Sequence, residues 1–305
     1  MTVWRLHLKN DVDSSLGLDR EKLFAFCREQ GILGVGWPKI RSRTWDDGVL
    51  RAEAEAYAAQ PNNRQAGWKA VRAMRSMEVG DLIWTRREGV YYLCRVTGRW
   101  IDTVPTALHD SYDLTNFCRV DWAEVGKEDA VPGKVIASMR PAATVQRVRD
   151  VEEVSRFLWD RCAGRNDYPA EGRPRASLWD ILSAEEIEEL VLLYLQAELG
   201  FYVYTSTVKR STQRYECVLA DRDGNRVYPQ VKSGEEALPA ADYADLAADG
   251  SGARVYLFAV SQRYGTVRPE GVFCLGREAI ETFARERRAL LPRLLQWKLE
   301  RFGAV

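Results

Sequence analysis

Tyr215-Glu-Cys-Val-Leu-Ala-Asp-Arg-Asp-Gly-Asn-Arg-Val-Tyr-Pro-Gln-Val-Lys232 reads as two strands joined by a tight turn. The turn is Asp221 to Asn225, because Asp-Gly and Gly-Asn tolerate the positive φ that hairpin turns need. The runs on either side, 215–220 and 226–232, are rich in branched and aromatic residues, so the two strands should pair. Side chains alternate across a strand, which puts Gln230 and Lys232 on one side and brings Glu216 in from the neighbouring strand. An acid, an amide and a lysine therefore converge.

Upstream of the hairpin, Ser183-Ala-Glu-Glu186 is a capping box. Ile187, Leu190, Val191, Tyr194 and Leu195 follow at helical spacing until Gly200 stops the helix. Further strands are expected at 201–205 and 254–260, then two helices split by Pro292. Residues 177–305 thus read as an α/β domain with a central mixed sheet flanked by helices.

The stretch 162–176 combines glycines, prolines and charges and is the expected linker. Before it, residues 1–161 read as an α+β module. Its strands are expected at 3–8, 81–85, 91–95, 134–138 and 144–148, and its helices at 19–30, 49–59 and 151–161. Two domains suit a chain of 305 residues.

A hydrophobic content of 46% excludes a disordered chain. No stretch approaches the ~20 apolar residues of a membrane span, and the first residues read as an amphipathic strand rather than a signal peptide, so a cytoplasmic protein with no membrane contact is expected. Cys27, Cys94, Cys118, Cys162, Cys217 and Cys274 form no C-x-x-C pair, which argues for reduced thiols over zinc or disulfides. Residues 1–150 carry 23 basic and 20 acidic side chains and the remainder 21 and 24. Global charge therefore does not announce a nucleic-acid binder. His7 and His109 read as structural, and neither a Ser/His/Asp triad nor a Walker A loop is present.

Phosphodiester hydrolysis needs a divalent cation to polarise the phosphate and acidify water, and a positive charge near the scissile bond. Glu216 and the Val231 carbonyl offer the hard oxygen that Mg²⁺ prefers. With Ile187-Glu-Glu-Leu-Val191, Gly200-Phe201, Tyr215-Glu-Cys-Val-Leu219 and Gln230-Val-Lys232 in this order, the chain resembles the PD-(D/E)XK restriction-endonuclease-like nucleases, in particular their Mrr-like branch. The resemblance implies Glu216 as principal metal ligand, Gln230 at the second acidic position, Lys232 positioning or activating water, and Glu188 assisting from the helix, with Mg²⁺ or Mn²⁺ bound. Two positions differ from the family's pattern: Glu216 stands for its usual Asp, and Pro229 removes a ladder donor. Lys209, Arg210 and Arg214, just before the acidic strand, are candidate phosphate contacts.

Seven of the ten tryptophans, at 4, 37, 45, 68, 84, 100 and 122, lie in the first half. Aromatics beside basic residues suit base stacking. Trp37 sits in Gly31-Ile-Leu-Gly-Val-Gly-Trp-Pro38, read as a glycine-rich turn, ahead of Lys39, Arg41 and Arg43 as phosphate contacts. Met77-Glu-Val-Gly-Asp-Leu-Ile-Trp84 followed by Gly89-Val-Tyr-Tyr-Leu-Cys-Arg-Val-Thr-Gly98 resembles the PUA-like superfamily and its EVE and YTH-like members. That resemblance implies an N-terminal β-barrel whose aromatic pocket, with Trp37, Trp84, Trp4 and Trp100 as candidates, holds a flipped modified base.

Joined, the halves suggest a modification-dependent, type IV-like restriction endonuclease acting on modified double-stranded DNA. One site cuts one strand, so double-strand cleavage implies a homodimer. Two alternatives are a nuclease-fold DNA- or RNA-binding module without catalysis, and an RNA-directed nuclease.

Overall fold

Runs of buried residues along 3–6, 82–87 and 90–98 build the middle of the first sheet. The computed structural model describes residues 1–36, 38–60, 68–168, 177–208, 214–248 and 252–302. The chain divides into two units, Met1–Ala170 and Glu171–Val305. Among the described residues no helix is long and apolar enough to cross a membrane.

The first unit contains β1 (Val3–Leu6), α1 (Arg20–Glu29), β2 (Ile32–Val35), α2 (Asp47–Ala58), α3 (Trp68–Arg75), β3 (Leu82–Arg87), β4 (Val90–Gly98), α4 (Ala107–Ser111), β5 (Asn116–Gly126), α5 (Gly133–Ser138), β6 (Val145–Arg147) and α6 (Glu152–Ala163). Its sheet runs β2-β5-β4-β3-β1-β6. β1 and β3 are parallel and the other pairs antiparallel. The result is a curled, mixed six-stranded sheet, in which β2 and β6 form the two edges. Leu50 of α2 and Val71 and Met74 of α3 pack against Ile83, Cys94 and Val96.

Two local readings change. Residues 134–138, expected as a strand, form α5, which starts after Pro132 and buries Val135. A five-residue apolar run does not by itself separate a strand from a short helix. Ile32–Val35, expected within a glycine-rich turn, form β2, and Gly34 and Gly36 answer to crowding. A Cβ on Gly34 would collide with the Asn116 carbonyl, and one on Gly36 with Asp113.

The expected linker also shortens. Cys162 and Ala163 complete α6, which Gly164 ends in the left-handed conformation at φ 64°. The Asp160 carboxylate then accepts from the backbone of Asp167 and Tyr168. The Tyr168 hydroxyl donates to the Gly80 carbonyl at 2.6 Å, so the chain to Tyr168 belongs to the first unit.

The second unit contains α7 (Leu178–Ile181), α8 (Ala184–Ala197), β7 (Tyr202–Val203), β8 (Leu219–Ala220), β9 (Arg226–Lys232), α9 (Ala244–Ala247), β10 (Arg254–Ala259), β11 (Val272–Cys274), α10 (Arg277–Glu286) and α11 (Arg293–Phe302). The sheet order is β11-β10-β9-β8-β7. β9, β10 and β11 are parallel, while β7, β8 and β9 are antiparallel. On one face, Ile187, Leu190, Val191 and Leu195 of α8 meet Val227, Val231 and Phe258. On the other, Leu238 and Tyr243 cover Val255, Leu257 and Ala259. This is the mixed sheet with helices that the sequence predicted.

The strand expected at 215–220 is regular only at Leu219–Ala220. Opposite it, Pro229 has no N–H to donate. The chain pairs there through the Glu216 N–H to the Pro229 carbonyl at 2.9 Å, and the Val218 N–H turns to the Thr207 hydroxyl.

Candidate active site

The helix that carries Glu188 is fixed at its first turn. Ser183 accepts from the Glu186 N–H at 3.3 Å and the Glu186 carboxylate accepts from the Ser183 N–H at 2.7 Å, satisfying two of the helix's free donors. The Lys298 ammonium of α11 donates to the same carboxylate at 2.6 Å and to the Ile181 carbonyl at 3.1 Å. Ile187 and Val191 bury into the sheet, and Glu188, beside them, is left half-buried.

Along β9 the alternation is strict. Val227 and Val231 face α8, so Arg226, Tyr228, Gln230 and Lys232 share the opposite face. The Gln230 amide, 2% exposed, donates to a Glu216 carboxylate oxygen at 2.9 Å and to the Val231 carbonyl at 3.3 Å. Its own oxygen, Oε1, is buried without a partner among the described residues. The Lys232 ammonium is loosely paired with Glu236 at 3.9 Å.

Charge couples these groups. Burial raises the Glu216 carboxyl above its usual range, opposed by the Val231 N–H, by Lys232 and by the Gln230 amide. Glu188 is pushed up to about 7, first by burial and then by the charges of Glu216 and Glu185, with Lys232 opposing. Glu188 of α8, Gln230 and Lys232 of β9 and Glu216 in the segment leading into β8 therefore form one cluster. Tyr243, which spacing could not have flagged, joins its edge. Burial raises its hydroxyl pKa, and the charges of Asp242 and Glu216 add to the shift while Arg214 opposes it.

No three His, Cys, Asp or Glu side chains gather into a cation site among the described residues. The oxygen set here is instead two carboxylates, Glu188 and Glu216, the orphaned Gln230 Oε1 and the Val231 carbonyl. Mg²⁺ is commonly held by one or two carboxylates supplemented by carbonyls and water, so this donor set fits a hard divalent cation.

Three of the expected phosphate contacts have partners within the protein. Arg214 forms a forked pair with Asp245, at 2.8 and 2.6 Å, and also donates to the Asp242 carbonyl. Arg41 pairs with Asp110. Arg43 donates to the carbonyls of Thr103, Ile40 and Thr115 and lies 4.5 Å over the Trp100 ring. Lys39 is half-buried. Lys209 and Arg210 lie outside the described residues, as does Trp37.

Of the other rings, Trp84 is fully buried and donates to Ser155, and Trp100 is fully buried and donates to Asn116. Neither presents a face to a ligand. Trp4 is half-buried, with its indole N–H on Asp81 at 3.0 Å. His7 is held down at about 4 by burial, with Arg5 adding to it, and His109 stacks on Phe117 at 4.6 Å, so both serve the core.

No protein-family model, no curated protein and no solved structure matches this chain. Its chemistry is read from its own residues.

Proposed function

We propose that the second unit is a metal-dependent phosphodiesterase of the PD-(D/E)XK kind that cuts DNA, and that the chain works as a modification-dependent endonuclease. The observation that carries this reading is the juxtaposition at Gln230. Its amide bridges the Glu216 carboxylate and the Val231 carbonyl, with Glu188 and Lys232 close enough to move the local titrations. Glu216, Glu188, Gln230 Oε1 and the Val231 carbonyl would hold Mg²⁺ or Mn²⁺. A cation bound there acidifies water and offsets charge developing on the phosphate. Lys232 supplies a positive charge for the phosphate oxygens or orients the attacking water. The Glu188 carboxyl, pushed up to about 7 without a cation, would be held ionised once it ligates one.

The first unit, as a PUA-like module, would supply recognition. Of the rings expected in a base pocket, Trp4 is the one that keeps partial exposure among the described residues, so it carries that part of the proposal. Cutting both strands would need two copies, since the described residues of a chain form one such cluster. That two carboxylates rather than three gather there among the described residues favours one second reading, a nuclease-fold module that binds without cutting.

The test is nicking, with Mn²⁺ or Mg²⁺, of base-modified phage DNA, unmodified plasmid and single-stranded RNA. Preferential cleavage of modified DNA supports the full proposal. Cleavage of RNA alone moves the substrate class, and no cleavage of any substrate supports the binding module.

A further inference from the structure

β7 closes the second sheet at one edge, and what it exposes is unusual for a strand end. Tyr202 is 60% exposed and Tyr204 38%. Tyr202 pairs with Ala220, and Ala220 with Arg226, so Tyr202 and Arg226 stand on the same face of the sheet. The Arg226 guanidinium lies over the Tyr204 ring at 4.9 Å and has no carboxylate partner among the described residues. Arg226 also begins the row that continues along β9 through Tyr228 to Gln230 and Lys232. At ~3.3 Å per residue the row spans roughly 20 Å. The layer formed by Leu238, Tyr243 and Tyr264 covers the β9–β11 part of this face and does not reach β7.

Exposed tyrosine rings with a guanidinium beside them match one ligand class best. Unpaired bases offer a π-face to such rings and a phosphate to the arginine, while the bases of an intact duplex are stacked on one another and offer none. We infer that the exposed Tyr202–Tyr204–Arg226 edge is a platform for single-stranded nucleic acid. The binding does not depend on the proposed nuclease reading.

The experiment is fluorescence anisotropy of the full chain with labelled dT12, with labelled rU12 and with a mixed-sequence duplex, all in EDTA so that cleavage cannot interfere. The expected result is tighter binding of a single strand than of the duplex. Tyr202→Ala and Tyr204→Ala should each weaken it by about 5- to 100-fold, the range that loss of one stacked base gives. Tyr202→Phe should keep the affinity, and Arg226→Ala should flatten the salt dependence. The dT12 and rU12 arms separate DNA from RNA. Equal single-strand affinity for wild type and both alanine variants overturns the inference, as does binding of the duplex alone, or an exposed patch that instead drives self-association in sedimentation without binding either oligonucleotide. Single-strand binding that survives in a chain shown not to cut would sink the nuclease reading and leave this one standing.

Discussion

The amide nitrogen of Gln230 lies 2.9 Å from a carboxylate oxygen of Glu216, and its oxygen is left buried without a donor. In this arrangement the amide N–H groups satisfy the acid and the Val231 carbonyl together. Turning the amide over would set three oxygens against one another. That orientation would need a cation among them, so the proposed metal would select a second state of the side chain.

Gln230→Glu tests this directly. Without metal at pH 8, a second carboxylate against Glu216 should lower the melting temperature by ~2–4 °C. Mn²⁺ should then raise it by more than it raises that of the wild type. Equal Mn²⁺ responses in differential scanning fluorimetry would argue that Gln230 is not at a cation site.

Glu188 gives a pH dependence whose sign can be worked out. Its folded carboxyl is raised from 4.5 to about 7, so the folded state holds the proton more firmly than the unfolded chain does. Its contribution to stability is present below about 4.5 and is lost as pH rises through about 7. Glu188→Gln should therefore melt about 2 °C or more above wild type at pH 8 and differ little at pH 5. Because a cation needs the ionised carboxyl, Mn²⁺ affinity of wild type should climb as pH rises through about 7, and the variant's affinity should depend less on pH.

The Glu186–Lys298 pair, with side chains 11% and 9% exposed, ties α11 to the start of α8. Lys298→Ala strands a buried carboxylate and should cost about 3 to 5 kcal/mol in urea unfolding. The double change Glu186→Gln with Lys298→Met should recover most of that loss. A single-variant loss under ~1 kcal/mol would mean that the pair is hydrated in solution.

Sequence reading succeeded where local chemistry decides structure. The capping box at Ser183 fixed the start of α8, and the alternation from Arg226 to Lys232 matched β9 residue for residue. It failed where tertiary contact decides. β5, the longest strand of the first sheet, is interrupted in pattern by Arg119, Asp121 and Glu124 and was invisible as a strand. Gly34 of β2 reads as part of an open turn because the backbone it makes room for, at Asn116, is distant in sequence. The candidate site was legible as residue types on paired strands. The engagement of Arg214 by Asp245 and the burial of Trp84 and Trp100 depend on long-range packing that spacing does not encode.

Trp4 carries the remaining part of the base-reading proposal. Trp4→Phe keeps the ring and gives up the hydrogen bond to Asp81, whereas Trp4→Ala removes the stacking surface. In equilibrium binding, Trp4→Ala should discriminate less than wild type between modified and unmodified duplex, while Trp4→Phe keeps most of the difference. Parallel loss on both DNAs would assign Trp4 to the fold.

The most direct measurement compares wild type and Lys232→Ala in nicking supercoiled DNA with Mn²⁺, alongside calorimetric Mn²⁺ binding by each. We expect wild type to nick, and Lys232→Ala to retain Mn²⁺ binding while its nicking rate falls by about 10²- to 10³-fold, the loss typical of removing one preorganised electrostatic contact to the reacting group. Equal rates for the two proteins, or no Mn²⁺ binding by wild type, would contradict the assignment of Glu188, Glu216, Gln230 and Lys232 as a catalytic cluster.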